Sequence, residues 1–176
     1  MKTVYTGEDL LKLQLRGRFE LVRGSLVELT PPGWLHGYVQ TRVAGALLTW
    51  AEEGALGYVV TESGVYTERE PDTVRGPDVS YTARERLTDV PEGYPSAPPD
   101  QVVEVASPDD CAAELEAKVQ EYLRAGVRRV WVLFPRTRTV YSHAPDGTVR
   151  KFEAGHTLSE PDVLPGFECP VARLFP

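Results

Sequence analysis

Apolar positions along this chain change period several times, and each change predicts an element. Thr6 followed by Glu8 and Asp9 resembles a helix start, and Leu10, Leu11 and Leu15 predict a short helix ending near Gly17. Residues 19–30 predict two short strands around Arg23-Gly24, closed by Pro31-Pro32. Over 34–53, Val39, Val43, Ala46, Leu47 and Trp50 recur at helical spacing, which predicts an amphipathic helix stopping at Gly54. Residues 57–69, rich in Val, Tyr and Thr, predict a strand or a bulged pair, and 78–82 predict another strand.

Pro91, Gly93, Pro95, Pro98 and Pro99 make 83–100 a loop, and a loop of that length is often functional. Residues 101–106 then predict an apolar strand carrying one charge, Glu104. Ser107-Pro108 supplies an N-cap hydroxyl and a proline at the first helical position, predicting a helix from there to about Ala125, before Gly126. Strands are expected at 129–134, 139–143 and 148–152, with a turn at 145–147 and a Pro- and Gly-punctuated tail from Glu153. This order predicts an α/β or α+β fold, a central mixed β-sheet flanked by helices, and one domain over 1–176.

Composition narrows the class. With 41% hydrophobic and 26% charged residues over 176, the chain matches globular usage and excludes general disorder. The longest uninterrupted apolar run, residues 130–134, is far short of the roughly 18 to 20 needed to span a bilayer, so no membrane partner is expected. The first ten residues contain Glu8 and Asp9 and no apolar run, which predicts no signal peptide and a cytoplasmic protein. Cys111 and Cys169 form neither a disulfide framework nor a zinc-ligand pattern. The net charge of -7 argues against coating nucleic acid by charge alone, while leaving room for a local basic groove. The basic residues divide into 15 Arg and only 4 Lys, so each Lys is informative.

Glu104 is the sharpest anomaly. Its neighbours Val102, Val103, Val105 and Ala106 demand burial, and a buried carboxylate is costly unless it is paired or holds a metal. A strand-end glutamate paired to an arginine is the plainer alternative. Asp78 follows Pro77 at the start of a predicted strand, with Ser80 and Thr82 on its face. Pro-Asp alone says little, because it occurs six times and most copies must be turns. Two carboxylates on adjacent strands repel each other, and a hard divalent cation relieves that repulsion, Mg²⁺ being the natural candidate. Such a cation supports phosphodiester hydrolysis. Lys118 falls on the stripe Cys111, Leu115, Lys118, Tyr122, beside the predicted buried face. It either snorkels or supplies a compact ammonium for a water or a phosphate.

The ordered blocks 19–29 with Pro31-Pro32 and His36, Pro77-Asp78-Val79, residues 102–108, Lys118, Tyr122, Gly126-Val127 and Val130-Trp131-Val132 resemble the Uma-two family of restriction endonucleases. That family lies within the PD-(D/E)XK nuclease superfamily, and the likeness runs from about residue 5 to residue 174. It implies a restriction-endonuclease-like core and a metal-dependent DNA endonuclease. Asp78 and Glu104 would be metal ligands, with the backbone carbonyl of Val105. Mg²⁺ would be the cofactor, Mn²⁺ would substitute for it, and a homodimer would cut both strands. The superfamily places its lysine two residues after the Glu, where this chain has Ala106, so the resemblance assigns the amine to Lys118 and a further catalytic acid to Glu20.

His36 at a helix start reads as structural or exposed, and Tyr122 as packing beside the site. Arg124, Arg128, Arg129, Arg136 and Arg138 either contact phosphates or form a solvated face paired to Glu114, Glu116 and Glu121. Two other classes compete with the nuclease. One is a non-catalytic nucleic-acid- or protein-binding module that retains the fold, favoured by the net charge and by Ala106. The other is a carboxylate-pair glycoside hydrolase, which needs an aromatic substrate groove that Trp34, Trp50 and Trp131 do not suggest.

Overall fold

Thr6 opens the first helix with a reciprocal cap: its hydroxyl accepts the Asp9 N–H at 3.1 Å, and Asp9 Oδ2 accepts the Thr6 N–H at 2.8 Å. The computed structural model describes residues 3–87, 89–108 and 110–176. Met1 and Lys2 in the N-terminal stretch, Thr88 in the Pro-rich loop and Asp109 of one Pro-Asp pair lie outside the described residues. The helix α1 (Gly7–Lys12) stops short of Gly17. Its apolar side chains find little to pack on, Gly7 being its one buried residue, and a helix without a buried face does not extend.

Strands β1 (Arg18–Val22) and β2 (Ser25–Leu29) form the expected hairpin. Arg23 and Gly24 both take positive φ, 48° and 73°, as a two-residue turn of right-handed twist requires. Helix α2 (Trp34–Glu53) has the expected bounds, and Val39, Val43, Leu47 and Ala51 form its buried stripe at steps of four. Residues 57–69 divide into β3 (Gly57–Val60) and β4 (Val65–Glu68), which enter different sheets. The three-residue β5 (Thr73–Arg75) was not anticipated, being too short to show a period. β6 (Val79–Ala83) begins one residue after Asp78, a short 3-10 turn follows at Arg84–Arg86, and β7 (Gln101–Val105) is buried throughout.

Helix α3 (Ala112–Arg124) starts later than Ser107-Pro108 predicted, with Cys111 at its N-cap position and no side-chain cap. Ser107 is otherwise engaged: its N–H donates to Asp110 Oδ2 at 2.7 Å and its hydroxyl meets His36. β8 (Arg129–Phe134) and β9 (Thr139–His143) agree with expectation, and β10 (Val149–Phe152) nearly so. The punctuated tail hides a hairpin, β11 (Thr157–Glu160) and β12 (Leu164–Pro170), and a 3-10 turn at Val171–Leu174. Leu158, Leu164, Val171 and Leu174 from this tail are almost wholly buried and complete the main core.

The large sheet has the order β10-β9-β8-β7-β6-β3, with β7 and β8 parallel and the other pairs antiparallel. A second sheet runs β2-β1-β5-β4. Side chains alternate across β7, so Val103 and Val105 join α2 and the tail on one face, while Val102 meets Val119 and Tyr122 of α3 on the other. Glu104 shares the face of Val102 and therefore points toward α3. This is the mixed-sheet α+β architecture expected from the order of elements.

Candidate active site

Four elements bring their ends together where β6 begins and β7 finishes. β1 carries Glu20, and Leu21 beside it pairs with Val74 of β5, which sets Glu20 against the chain leaving β5. Glu20 Oε1 accepts the Gly76 N–H at 3.0 Å, and Oε2 accepts Arg75 Nη1 at 2.9 Å. Arg75 also grips Glu121 of α3 with two hydrogen bonds, at 2.7 and 2.8 Å. Such a fork on a carboxylate is a guanidinium geometry that lysine cannot copy.

Asp78 stands at the mouth of β6. Its Oδ2 accepts the Val105 N–H at 2.7 Å, so the aspartate closes the ladder just beyond the Val79–Val103 pair. Its Oδ1 lies 3.0 Å from His36 Nε2, and His36 Nδ1 lies 3.1 Å from Ser107 Oγ. The imidazole on the first turn of α2 thus ties the start of β6 to the end of β7.

Glu104 is 6% exposed, and the Tyr122 hydroxyl donates to its Oε1 at 2.7 Å. Lys118, one turn before Tyr122 on α3, places Nζ 3.3 Å from Glu104 Oε1 and 3.1 Å from Glu20 Oε1. The helical spacing of 118 and 122 lets one face of α3 serve the same carboxylate twice.

These contacts set the protonation of the group. Burial, with Asp78 and Glu20 nearby, pushes the Glu104 carboxyl up to about 7, although Lys118 and Tyr122 work the other way. Burial also opposes the charge on Glu20, but Lys118, the Gly76 N–H and Arg75 outweigh it and hold that carboxyl below its usual value. Burial disfavours the Lys118 ammonium as well, yet Glu104 and Glu20 keep its pKa above the ordinary lysine value. The Tyr122 hydroxyl, desolvated and facing Glu104, stays neutral well above its usual range.

The cluster opens on a cleft of about 800 Å³ whose walls include Arg18, Val27, Pro31, Gly33, Ser107 and Lys118. The structure brings Glu20, Asp78, Glu104 and Lys118 together, and joins Val105 to them through its backbone. It also adds His36, which the sequence reading set aside, and Tyr122, which it treated as packing. Arg75 was missed, although its place two residues before Pro77-Asp78 was an available signal.

Two of the five arginines grouped in the sequence, Arg128 and Arg129, have partners other than Glu114, Glu116 and Glu121. Arg128 and Arg129 lie at the other end of β8 and are held by Asp100, Glu160 and Asp162. Among the described residues, Glu121 takes its ion pair from Arg75 and not from that group.

Within this ion-paired cluster the carboxylates Glu20, Asp78, Glu104 and Glu121 meet two fixed cations, Arg75 and Lys118. Among the described residues no three His, Cys, Asp or Glu side chains already form a metal cage. A small divalent cation does not need one, because Mg²⁺ typically takes one or two carboxylates and keeps several waters. Asp78 and Glu104 supply that donor set, and an excess of two negative charges is what a divalent cation offsets. The residues fit such an ion.

The fold is similar to that of a solved structure described as a putative nuclease belonging to DUF820 from Anabaena variabilis. The two superpose with a TM-score of 0.81 at 19% identity, over 96% of each chain. Residues 8–172 match the model of the Uma2 family, described as "Putative restriction endonuclease", and the chain belongs to that family. No curated protein matches it. Among the described residues no helix is long and apolar enough to cross a membrane.

Proposed function

We propose that this protein is a divalent-metal-dependent endonuclease that hydrolyses phosphodiester bonds in DNA, acting as one restriction-endonuclease-like domain over residues 1–176. Family membership makes a nucleic acid the substrate class. The observation that carries the reading is the under-neutralised pair Asp78 and Glu104 at the edge of an open cleft, with a protonated lysine beside them.

Asp78 and Glu104, with the Val105 carbonyl, are the groups assigned to hold Mg²⁺ or, in its place, Mn²⁺. A bound divalent cation supplies Lewis acidity toward a phosphoryl oxygen and lowers the pKa of water. The chain's own groups do the rest. Lys118 holds positive charge where the phosphate gains negative charge as water attacks phosphorus and the bond to the leaving oxygen breaks. Glu20 anchors that ammonium from the far side, and Arg75 fixes Glu20 to α3. His36 and the Val105 N–H hold Asp78 in one orientation. Cutting both strands calls for two copies of the chain.

Purified protein incubated with supercoiled plasmid in Mg²⁺, Mn²⁺, Ca²⁺ or EDTA tests the proposal, beside Glu104→Ala and Lys118→Ala. Nicking in Mg²⁺ or Mn²⁺ that disappears in EDTA and in both variants is the expected result. Binding of DNA with no cleavage under any of these conditions would instead establish the non-catalytic module.

A further inference from the structure

Trp34 is 78% exposed, the highest value among the large apolar side chains of the described residues. It opens α2 next to Gly33 and two residues before His36, both of which line the cleft. Its indole lies on the Tyr38 ring one turn later, with ring centroids 5.4 Å apart and planes 25° apart. Tyr38 is half-buried and packs against the main core, so one face of the indole is braced and the other is open to solvent. Core packing does not account for an aromatic placed this way.

Charge narrows what the open face receives. Duplex recognition rests on lysines and arginines free to meet phosphates. Among the described residues that line this cleft, the cations Arg18, Arg75 and Lys118 are each paired with carboxylates, Arg18 with Glu62, Arg75 with Glu20 and Glu121, and Lys118 with Glu20 and Glu104, so Lys118 at the reacting phosphate is not joined by an unpaired cation that could follow a duplex backbone. The net charge of -7 adds no general attraction. Stacking of a base on an aromatic ring adds affinity that no further cation has to supply. Bases inside a duplex already stack on each other, so only an unpaired base reaches such a ring.

We infer that Trp34, braced by Tyr38, is a stacking platform for an unpaired nucleobase, and that the cleft takes single-stranded or locally unpaired nucleic acid in preference to continuous duplex. The inference rests on the nuclease reading of the same cleft and names its substrate class.

Binding by the full chain is measured in EDTA, where no cleavage interferes, with a short labelled oligothymidylate, a matched duplex and an oligouridylate. Expected results are tighter binding of the oligothymidylate than of the duplex, and about a ten-fold or greater loss in Trp34→Ala. Trp34→Phe recovers most of that loss, and bound oligonucleotide shields tryptophan emission from iodide. Oligouridylate binding with the same dependence on Trp34 also supports the base as the ligand. Equal binding of single strand by wild type and Trp34→Ala overturns the inference. So does a Trp34→Ala protein whose only change, by sedimentation velocity, is loss of a dimer. In either case metal-dependent nicking by the wild type still judges the nuclease reading separately. A wild type that binds neither strand form and nicks nothing overturns both.

Discussion

Three glutamates are buried among the described residues, Glu20, Glu104 and Glu160, and the surroundings of the last two differ in one respect. Glu160 is fully buried and meets Arg129, Arg150, the Ser142 hydroxyl and Trp131 Nε1. Its acidic neighbour Asp162 pairs with Arg129, so two carboxylates face two guanidinium groups. Glu104 shares a single lysine with Glu20 and has Asp78 nearby, and it opens toward a cleft. Burial alone therefore does not mark a functional carboxylate. An incomplete set of partners, at a place ligands can reach, is what sets Glu104 apart and supports the role proposed for it.

The sharpest test of that contrast is activity. Glu104→Ala should lower plasmid nicking on the order of 10³-fold or more, the scale of losing metal assistance. Glu160→Ala should lose activity only as far as it unfolds. Stability should show the reverse ranking. Removing Glu160 leaves the buried Arg129 with Asp162 alone and takes the carboxylate from Arg150, and urea unfolding should report a loss of about 3 kcal/mol.

The third test uses pH. Burial holds the folded Glu104 carboxyl up at about 7, above the 4.5 of an unperturbed glutamate, so the folded chain binds that proton more tightly than the unfolded chain does. The stability difference between metal-free wild type and Glu104→Gln should therefore favour wild type most below pH 4.5. It should move against wild type by about 3 kcal/mol as pH rises through 7, read from urea unfolding at a series of pH values. Mg²⁺ added at pH 8 should raise the melting temperature of the wild type more than that of Glu104→Gln.

Tyr122→Phe is the mildest change. It removes one hydrogen bond from Glu104 and should cost about 1 to 2 kcal/mol of stability. Because that bond favours the ionised carboxylate, its loss should also shift the acidic limb of the pH–activity profile upward. An unchanged profile would make Tyr122 a packing residue and nothing more.

Local signals carried much of the fold. The step of four from Val39 to Ala51 gave α2 its length, and the apolar runs at 101–105 and 129–134 marked the two central parallel strands. The first depends on the period that burial of one helix face imposes, the second on burial of both sheet faces, which leaves an unbroken apolar run. Glu104 was conspicuous because it interrupts such a run, and Lys118 because lysine is scarce in this chain. Where Ser107 would point was not legible, since its hydroxyl could cap a helix or meet a partner far away in sequence. The tail hairpin was hidden by its turn residues, which look alike in a loop and between two strands.

The amino-acid sequence thus determined that there would be a mixed sheet, a long helix and a buried acid on a central strand, because periodicity and the cost of burying charge are local properties. Only the tertiary structure decided which groups meet that acid. Glu20 lies 84 residues from Glu104 and His36 lies 42 from Asp78, and strand order rather than spacing joins them. Arg75 was assigned to Glu121 instead of to solvent for the same reason. Pairing of charges is set by which ends of the elements converge, and that convergence exists only once the two sheets have formed.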